Sequence, residues 1–208
     1  MSKISSIFSR KERVKNDNEW NFASMLVGSI ASLIASFVLS VEAVELARDP
    51  EVVLACSVNI ILNCATVGLH ESAYLFGFPN SFLGMIAEPV VITVAIAGLA
   101  GVKFPKLFMA VAQVFYTLGF IFALYLLSVS YFVIGALCPW CLLVTLTTTL
   151  VWFAITRYNI REDNLYLPRN IQNKLHSWTE RDFDKLAMWA LIVGIIAAII
   201  LKYGDGLF

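Results

Sequence analysis

Charge is the scarcest ingredient of this chain. Only 14% of its 208 residues are Asp, Glu, Lys or Arg, where a soluble domain carries roughly 25%, so a water-facing globule is excluded at the outset. Neither sign predominates: 15 Lys+Arg balance 15 Asp+Glu, and without a basic excess nothing argues for a nucleic-acid partner. Internal repeats, glycine-rich phosphate loops and Ser/His/Asp arrangements are not apparent. A cleavable signal peptide is not evident either, because the first apolar run is too long for one and follows a polar stretch of about twenty residues. Cysteine is sparse, and four are too few for a disulfide scaffold of this size yet too many to dismiss.

Apolar runs fill the space that charge leaves. Phe22 to Val41 is twenty residues without a charge, enough at about 1.5 Å per residue to cross a hydrocarbon core roughly 30 Å thick. Phe82 to Val102 holds one charge, Glu88, and stops at Lys103 and Lys106. Between Lys106 and Arg157 lie fifty uncharged residues, the length of two crossings with a turn near Ser128 to Leu137. Leu186 to Leu201 is shorter, but Lys185 and Lys202 flank it and can snorkel to the interfaces. The expectation is an all-α integral membrane protein of five transmembrane helices. Thirteen of the fifteen cations fall on alternate junctions: Lys3, Arg10, Lys11, Arg13 and Lys15, then Lys103 and Lys106, then the Arg157–Lys185 stretch. The positive-inside rule therefore places the N-terminus in the cytoplasm and the C-terminus outside.

With that orientation all four cysteines face outward, where disulfides form and persist. Cys138-Pro139-Trp140-Cys141 puts two sulfurs on one helical face, with proline at home in a first turn, so Cys138 should sit at a helix N-terminus that favours its thiolate. Cys141 lies one turn deeper, toward lipid. Cys56 and Cys64 enclose seven residues in the loop between spans one and two. That is too long for a zinc knuckle and suits a loop that swings a disulfide, although a four-cysteine zinc site uses the same residue types.

The run Ser40-Val-Glu42, Asp49-Pro50, Cys56-x7-Cys64 and Phe76-Gly-Phe-Pro-Asn80-Ser-Phe82-Leu83-Gly84, followed by Cys138-Pro-Trp-Cys141, resembles the bacterial vitamin K epoxide reductase family over roughly Phe22 to Thr156. The resemblance implies a four-helix transmembrane bundle around a quinone, here with a fifth transmembrane helix and an outer loop carrying a cysteine pair. It further implies a functional analogue of the quinone-linked disulfide-forming enzyme DsbB. Cys138 and Cys141 would form the quinone-proximal pair, and Cys56 and Cys64 the shuttle that accepts electrons from a reduced thioredoxin-fold (DsbA-like) partner. Asn80 would hydrogen-bond a carbonyl of the quinone, menaquinone or ubiquinone, though an asparagine after proline also serves as a turn or helix cap. Phe82 and Leu83 would pack on the ring. Thr145 stands where animal epoxide reductases resemble one another in having tyrosine, which favours disulfide formation for exported proteins over reduction of naphthoquinone or vitamin K epoxide.

This reading divides the chain into a cytoplasmic tail (1–21), a catalytic bundle (22–156), a cytoplasmic connector with Trp178 at the headgroups (157–185), and a fifth helix with a short external tail (186–208) in the cell (inner) membrane. Some relatives carry a thioredoxin-like domain after the fifth span. Only Lys202 to Phe208 follow it here, so a separate polypeptide is expected as partner. No metal is expected. Glu88 inside span two is expected to face the bundle interior and find hydrogen bonds, Pro89 to bend the helix, Glu42 to cap the membrane edge, and His70 to be solvated or to tune a thiolate. The aromatic residues Phe115, Tyr116, Phe120, Phe122 and Tyr125 are expected in core or lipid contact. A non-enzymatic membrane module with structural disulfides is the third reading.

Overall fold

The computed structural model describes residues 2–207, with side chains described over 17–204; the tail cations Lys3, Arg10, Lys11, Arg13 and Lys15 lie outside the described side chains. The helices are α1 (Ser2–Arg48), α2 (Cys64–Gly68), α3 (Ser81–Leu99), α4 (Lys106–Val129), α5 (Pro139–Arg161), α6 (Arg169–Glu180) and α7 (Phe183–Leu207). Five are long and apolar enough to cross a membrane, over Asp17–Arg48, Ser81–Leu99, Lys106–Ile134, Pro139–Arg161 and Phe183–Gly204. The protein is thus an all-α, multi-pass membrane protein, as its hydropathy implies.

The stretch read as a tail is helical, and α1 runs unbroken from Ser2. No proline or glycine occurs before Gly28, so a helix nucleated by the apolar span propagates backward at little cost. The hairpin between spans three and four falls where the uncharged run required it. The end of α4 widens into a π-turn over Ser130–Ile134 and stops at Gly135, whose φ of 74° suits a residue without a Cβ. Ser130 Oγ donates to the Ala136 carbonyl at 2.5 Å, and Pro139 then opens α5.

Helix α1 is the central element, packed along α3 and α5, while α4 packs on α5. Its contact face carries Ser29, Ser32, Ser36 and Ser40, all buried, and small residues let transmembrane backbones approach closely. At Gly84 on α3 the approach is closest: an added Cβ would lie 2.2 Å from Ser36 Oγ. In contrast, α3 and α4 scarcely meet, and the space between them is a cavity. One apolar cluster, including Phe22, Met25, Met109, Val151 and Tyr158, closes it at one end. A second, Leu46, Leu54, Cys56, Cys64 and Cys138, closes it at the other.

Two polar ties hold α7 to the bundle. Arg157, expected as a junction cation, is buried at 4% exposure and pairs with Asp184 at 2.5 Å and Asp182 at 2.7 Å. At the far end Lys202 Nζ reaches the Tyr131 carbonyl and stands 4.2 Å over that residue's ring, and Tyr203 donates to the same carbonyl. Replacing Gly84 with Ala should destabilise the bundle by about 1–3 kcal/mol through overpacking, whereas Gly194→Ala, with nothing within 4 Å of the added Cβ, should not. Thermal unfolding in detergent checks this; equal midpoints for the two variants would contradict the packing.

Candidate functional site

The loop between α1 and α3 folds back over the cysteine end of the bundle. Asn59 Oδ1 accepts from the N–H groups of Ile61 and Leu62 at 2.9 and 2.7 Å, which turns the chain. The segment then pairs with the start of α5 through an isolated parallel bridge, Leu62 with Leu137. Leu137 N–H donates to Ile61 O at 2.7 Å and Asn63 N–H to Leu137 O at 2.9 Å. Asn63 also N-caps α2, its Oδ1 accepting from Thr66 N–H at 3.0 Å. Each strand of the bridge is followed by a cysteine, at Cys64 and at Cys138.

Cys56 and Cys64 are bonded to each other, a pairing the sequence left open, while Cys138 and Cys141 are free thiols. Cys64 Sγ lies 3.3 Å from Cys138 Sγ, within the roughly 3–3.5 Å separation from which atoms react. The loop disulfide is covered, with Cys56 and Cys64 exposed by only 8% and 3%. The Cys56 side is nearer the surface, between exposed Ala55 and half-buried Ser57. Glu42 Oε1 sits 3.0 Å from Cys56 Sγ. Glu42, Cys56 and Cys64 bring three potential metal-ligand atoms within 4.8 Å, but the two sulfurs share a bond and so are not thiolate ligands in this form.

Cys138 is the N-cap of α5, its Sγ accepting from Cys141 N–H at 3.3 Å. Its thiol is held below the ordinary thiol value. The hydrogen bond from the Cys141 side chain contributes most; burial works against it, and the backbone N–H groups of Cys141 and Trp140 add to the lowering. A thiolate is therefore favoured at the sulfur that faces Cys64.

Below the sulfurs opens the cavity, about 970 Å³ and lined mostly by apolar side chains of α1, α3, α4 and α5. Ile86 and Val90 of α3 and Phe115 and Leu118 of α4 line it and are also exposed on the bundle's outer surface, so it opens sideways through the gap between these helices. Cys138, Cys141, Asn80, Leu83 and Thr145 all border it. Phe82 does not: it stacks on Phe78 with centroids 6.4 Å apart. Helix geometry accounts for this placement, since residues 80, 83, 84 and 87 share one face and 82 points off it. Asn80 stands at the N-cap position of α3 but makes no cap bond with its side chain. Its Nδ2 donates to the Ser72 carbonyl at 2.6 Å, and its Oδ1 is buried without a partner. Thr145 Oγ1 donates to the Cys141 carbonyl at 2.9 Å, so that hydroxyl proton is spent within the helix.

Glu88 is buried as expected, accepting from Ser32 Oγ at 2.9 Å and Tyr116 OH at 3.4 Å, with Oε2 unpartnered. His70 is half-buried, and its Nδ1 accepts from Ser72 N–H as cap of a short 3₁₀ turn. Of the α4 aromatic residues, Phe115, Tyr116 and Phe122 border the cavity, Phe120 stacks on Trp152 at 4.6 Å, and Tyr125 is exposed. Sequence reasoning missed the contact of Glu42 with Cys56 and the Leu62–Leu137 bridge. An acidic residue at the end of an apolar run was the one visible signal for the former; a single-residue bridge leaves none.

A helical membrane bundle with two cysteine pairs in contact above an apolar cavity defines a membrane redox protein. The particular family follows from comparison: a sequence profile of the vitamin K epoxide reductase family matches residues 23–156, more than half the chain, and the protein belongs to that family. It is accordingly an oxidoreductase of a family whose enzymes are quinone-linked. No curated protein matches the chain.

Because the Cys141 thiol contributes most to the low Cys138 value, Cys141→Ala should move Cys138 ionisation to higher pH. Thiolate absorbance, read with the Cys56–Cys64 bond intact, checks this; an unchanged midpoint would contradict the hydrogen bond.

Proposed function

We propose that this protein is a membrane thiol–disulfide oxidoreductase that takes electrons from a reduced extracytoplasmic thioredoxin-fold protein and delivers them to a membrane quinone, supporting disulfide formation in exported proteins. The observation that carries the reading is the 3.3 Å contact between Cys64 and Cys138 at the wall of an apolar cavity open between α3 and α4.

The cavity suits a quinone. About 970 Å³ with a largely apolar lining is at the upper end of ordinary ligand pockets, and a sideways mouth admits a molecule dissolved in lipid. The free Asn80 Oδ1 would accept from a quinol hydroxyl, and the second N–H of the same amide would donate to a carbonyl. Leu83 would pack on the ring. A quinone supplies a two-electron, two-proton sink.

The chain's own residues order the exchange. A partner thiolate meets Cys56 first, the member of the pair closer to the surface, once the loop shifts to expose it. Freed Cys64 then attacks Cys138 at the distance already set by the bridge, and Cys141 leaves as a thiolate facing the cavity. Each step is displacement at sulfur through a mixed disulfide, so relative reduction potentials set the direction. The low ionisation of Cys138 makes it a good leaving group when its bond to Cys64 is resolved.

Further parts of the reading rest on the same features. Lys103, Lys106 and the six Lys and Arg residues of the Arg157–Lys185 stretch, which is mixed in charge, support a cytoplasmic N-terminus and cysteines on the extracytoplasmic side of a cell membrane. Residues 22–156 would be the catalytic bundle, 157–185 the connector and 186–208 the fifth helix and tail. Epoxide reduction is disfavoured, because the Thr145 hydroxyl already donates to Cys141 O and offers an epoxide oxygen no proton.

Cys141→Ser in lipid nanodiscs should abolish quinone reduction by a reduced thioredoxin-fold dithiol while leaving reduction of the Cys56–Cys64 bond intact. Quinol formation followed by ultraviolet absorbance checks this; undiminished turnover would eliminate the proposal.

A further inference from the structure

Glu42 is the group the exchange chemistry leaves unexplained. It is a carboxyl near the end of a transmembrane helix, 8% exposed, with Oε1 3.0 Å from Cys56 Sγ and Oε2 buried without a partner. Among the described residues it forms no ion pair. The titratable groups around it are Glu45 on its own helix, Cys56 with Cys64 in the loop, and Cys138 with Cys141 on α5. An orphaned buried carboxylate oxygen costs stability unless function requires it.

We propose that Glu42 is the catalytic base for Cys56, taking its proton as the loop disulfide re-forms; the inference rests on the exchange route above. In that step the mixed disulfide joins Cys64 to Cys138, and Cys56 is a thiol. The Cys56 sulfur attacks Cys64, the Cys56–Cys64 bond forms, and the Cys64–Cys138 bond breaks with its electron pair on Cys138 as a thiolate. The Cys56 proton passes to Glu42. Cys56 is oxidised and Cys138 reduced, so no further oxidant is needed. The reverse step, attack of Cys138 on Cys64, has Glu42 returning the proton to Cys56.

Charge strengthens the case. The negative charge of Glu42 opposes a thiolate at Cys138, so a carboxylate that accepts the Cys56 proton removes that opposition as Cys138 leaves. One transfer therefore activates the nucleophile and eases the departure of the leaving group. The cavity wall includes Glu42, which gives the proton a way onward to the space where reduction of an acceptor consumes protons.

The test is single-turnover electron transfer from a reduced Cys56/Cys64 pair to an oxidised Cys138–Cys141 pair, in nanodiscs without quinone, read by thiol-alkylation mass shifts across pH. Glu42→Gln should slow the step by about 10²–10⁴-fold near neutral pH and accumulate the Cys64–Cys138 mixed disulfide. The deficit should shrink above about pH 8.5, where a thiol ionises unaided. Glu42→Asp, which keeps the carboxyl but shortens its reach, should lie between the two and decides the matter if Glu42→Gln does not accumulate in membranes. A wild-type rate and pH profile in either variant would overturn the inference. Failure of the wild-type protein to pass electrons between its pairs would instead refute the exchange route, so the two failures are distinguishable.

Discussion

Two backbone hydrogen bonds, from Leu137 N–H to Ile61 O and from Asn63 N–H to Leu137 O, determine what this site can do. They lay the loop segment before Cys64 alongside the segment before Cys138, and the sulfurs of the next residues meet at 3.3 Å. Each bond contributes on the order of 1 kcal/mol, enough to hold a register and too little to prevent the loop from lifting. A covered disulfide that must be reached from outside requires that balance. The cap at Asn63 and the turn at Asn59 pre-order the loop and reduce the entropy that closing it must overcome.

The second constraint is the gap between α3 and α4. Four helices packed uniformly would fill their centre, but here α1 takes α3 and α5 close against itself through serines and Gly84, and α4 leans chiefly on α5. The space so left is apolar along its length. Among its polar groups, Thr145 bonds the Cys141 carbonyl, Asn80 bonds the Ser72 carbonyl, and Glu88 meets Ser32 and Tyr116 on the α1, α3 and α4 walls. Apolar ends above and below keep the cavity closed axially, so the route that remains is sideways, from lipid.

Much of this was legible in the residues themselves. Runs with at most one charge located five spans and the hairpin near Gly135, because a hydrocarbon core tolerates few charges. The Cys-Pro-Trp-Cys run placed Cys138 at a helix N-terminus, since proline suits a first turn. Properties set by three-dimensional packing were not legible. The position of Phe82 off the cavity-lining face, the burial of the junction cation Arg157 between two aspartates and the capping bond of His70 all depend on neighbours distant in sequence or on local backbone turns. The meeting of Glu42 with Cys56 joins residues fourteen apart across a loop whose path depends on a bridge that has no periodicity of its own.

The central claim is that Cys64 and Cys138 stand ready to exchange. The most direct measurement is disulfide mapping by mass spectrometry of a Cys56→Ser/Cys141→Ser double variant in membranes after mild diamide oxidation. The account predicts a single intramolecular Cys64–Cys138 bond in nearly all of the protein. Recovery of both sulfurs as free thiols, or bonding only between molecules, would contradict it.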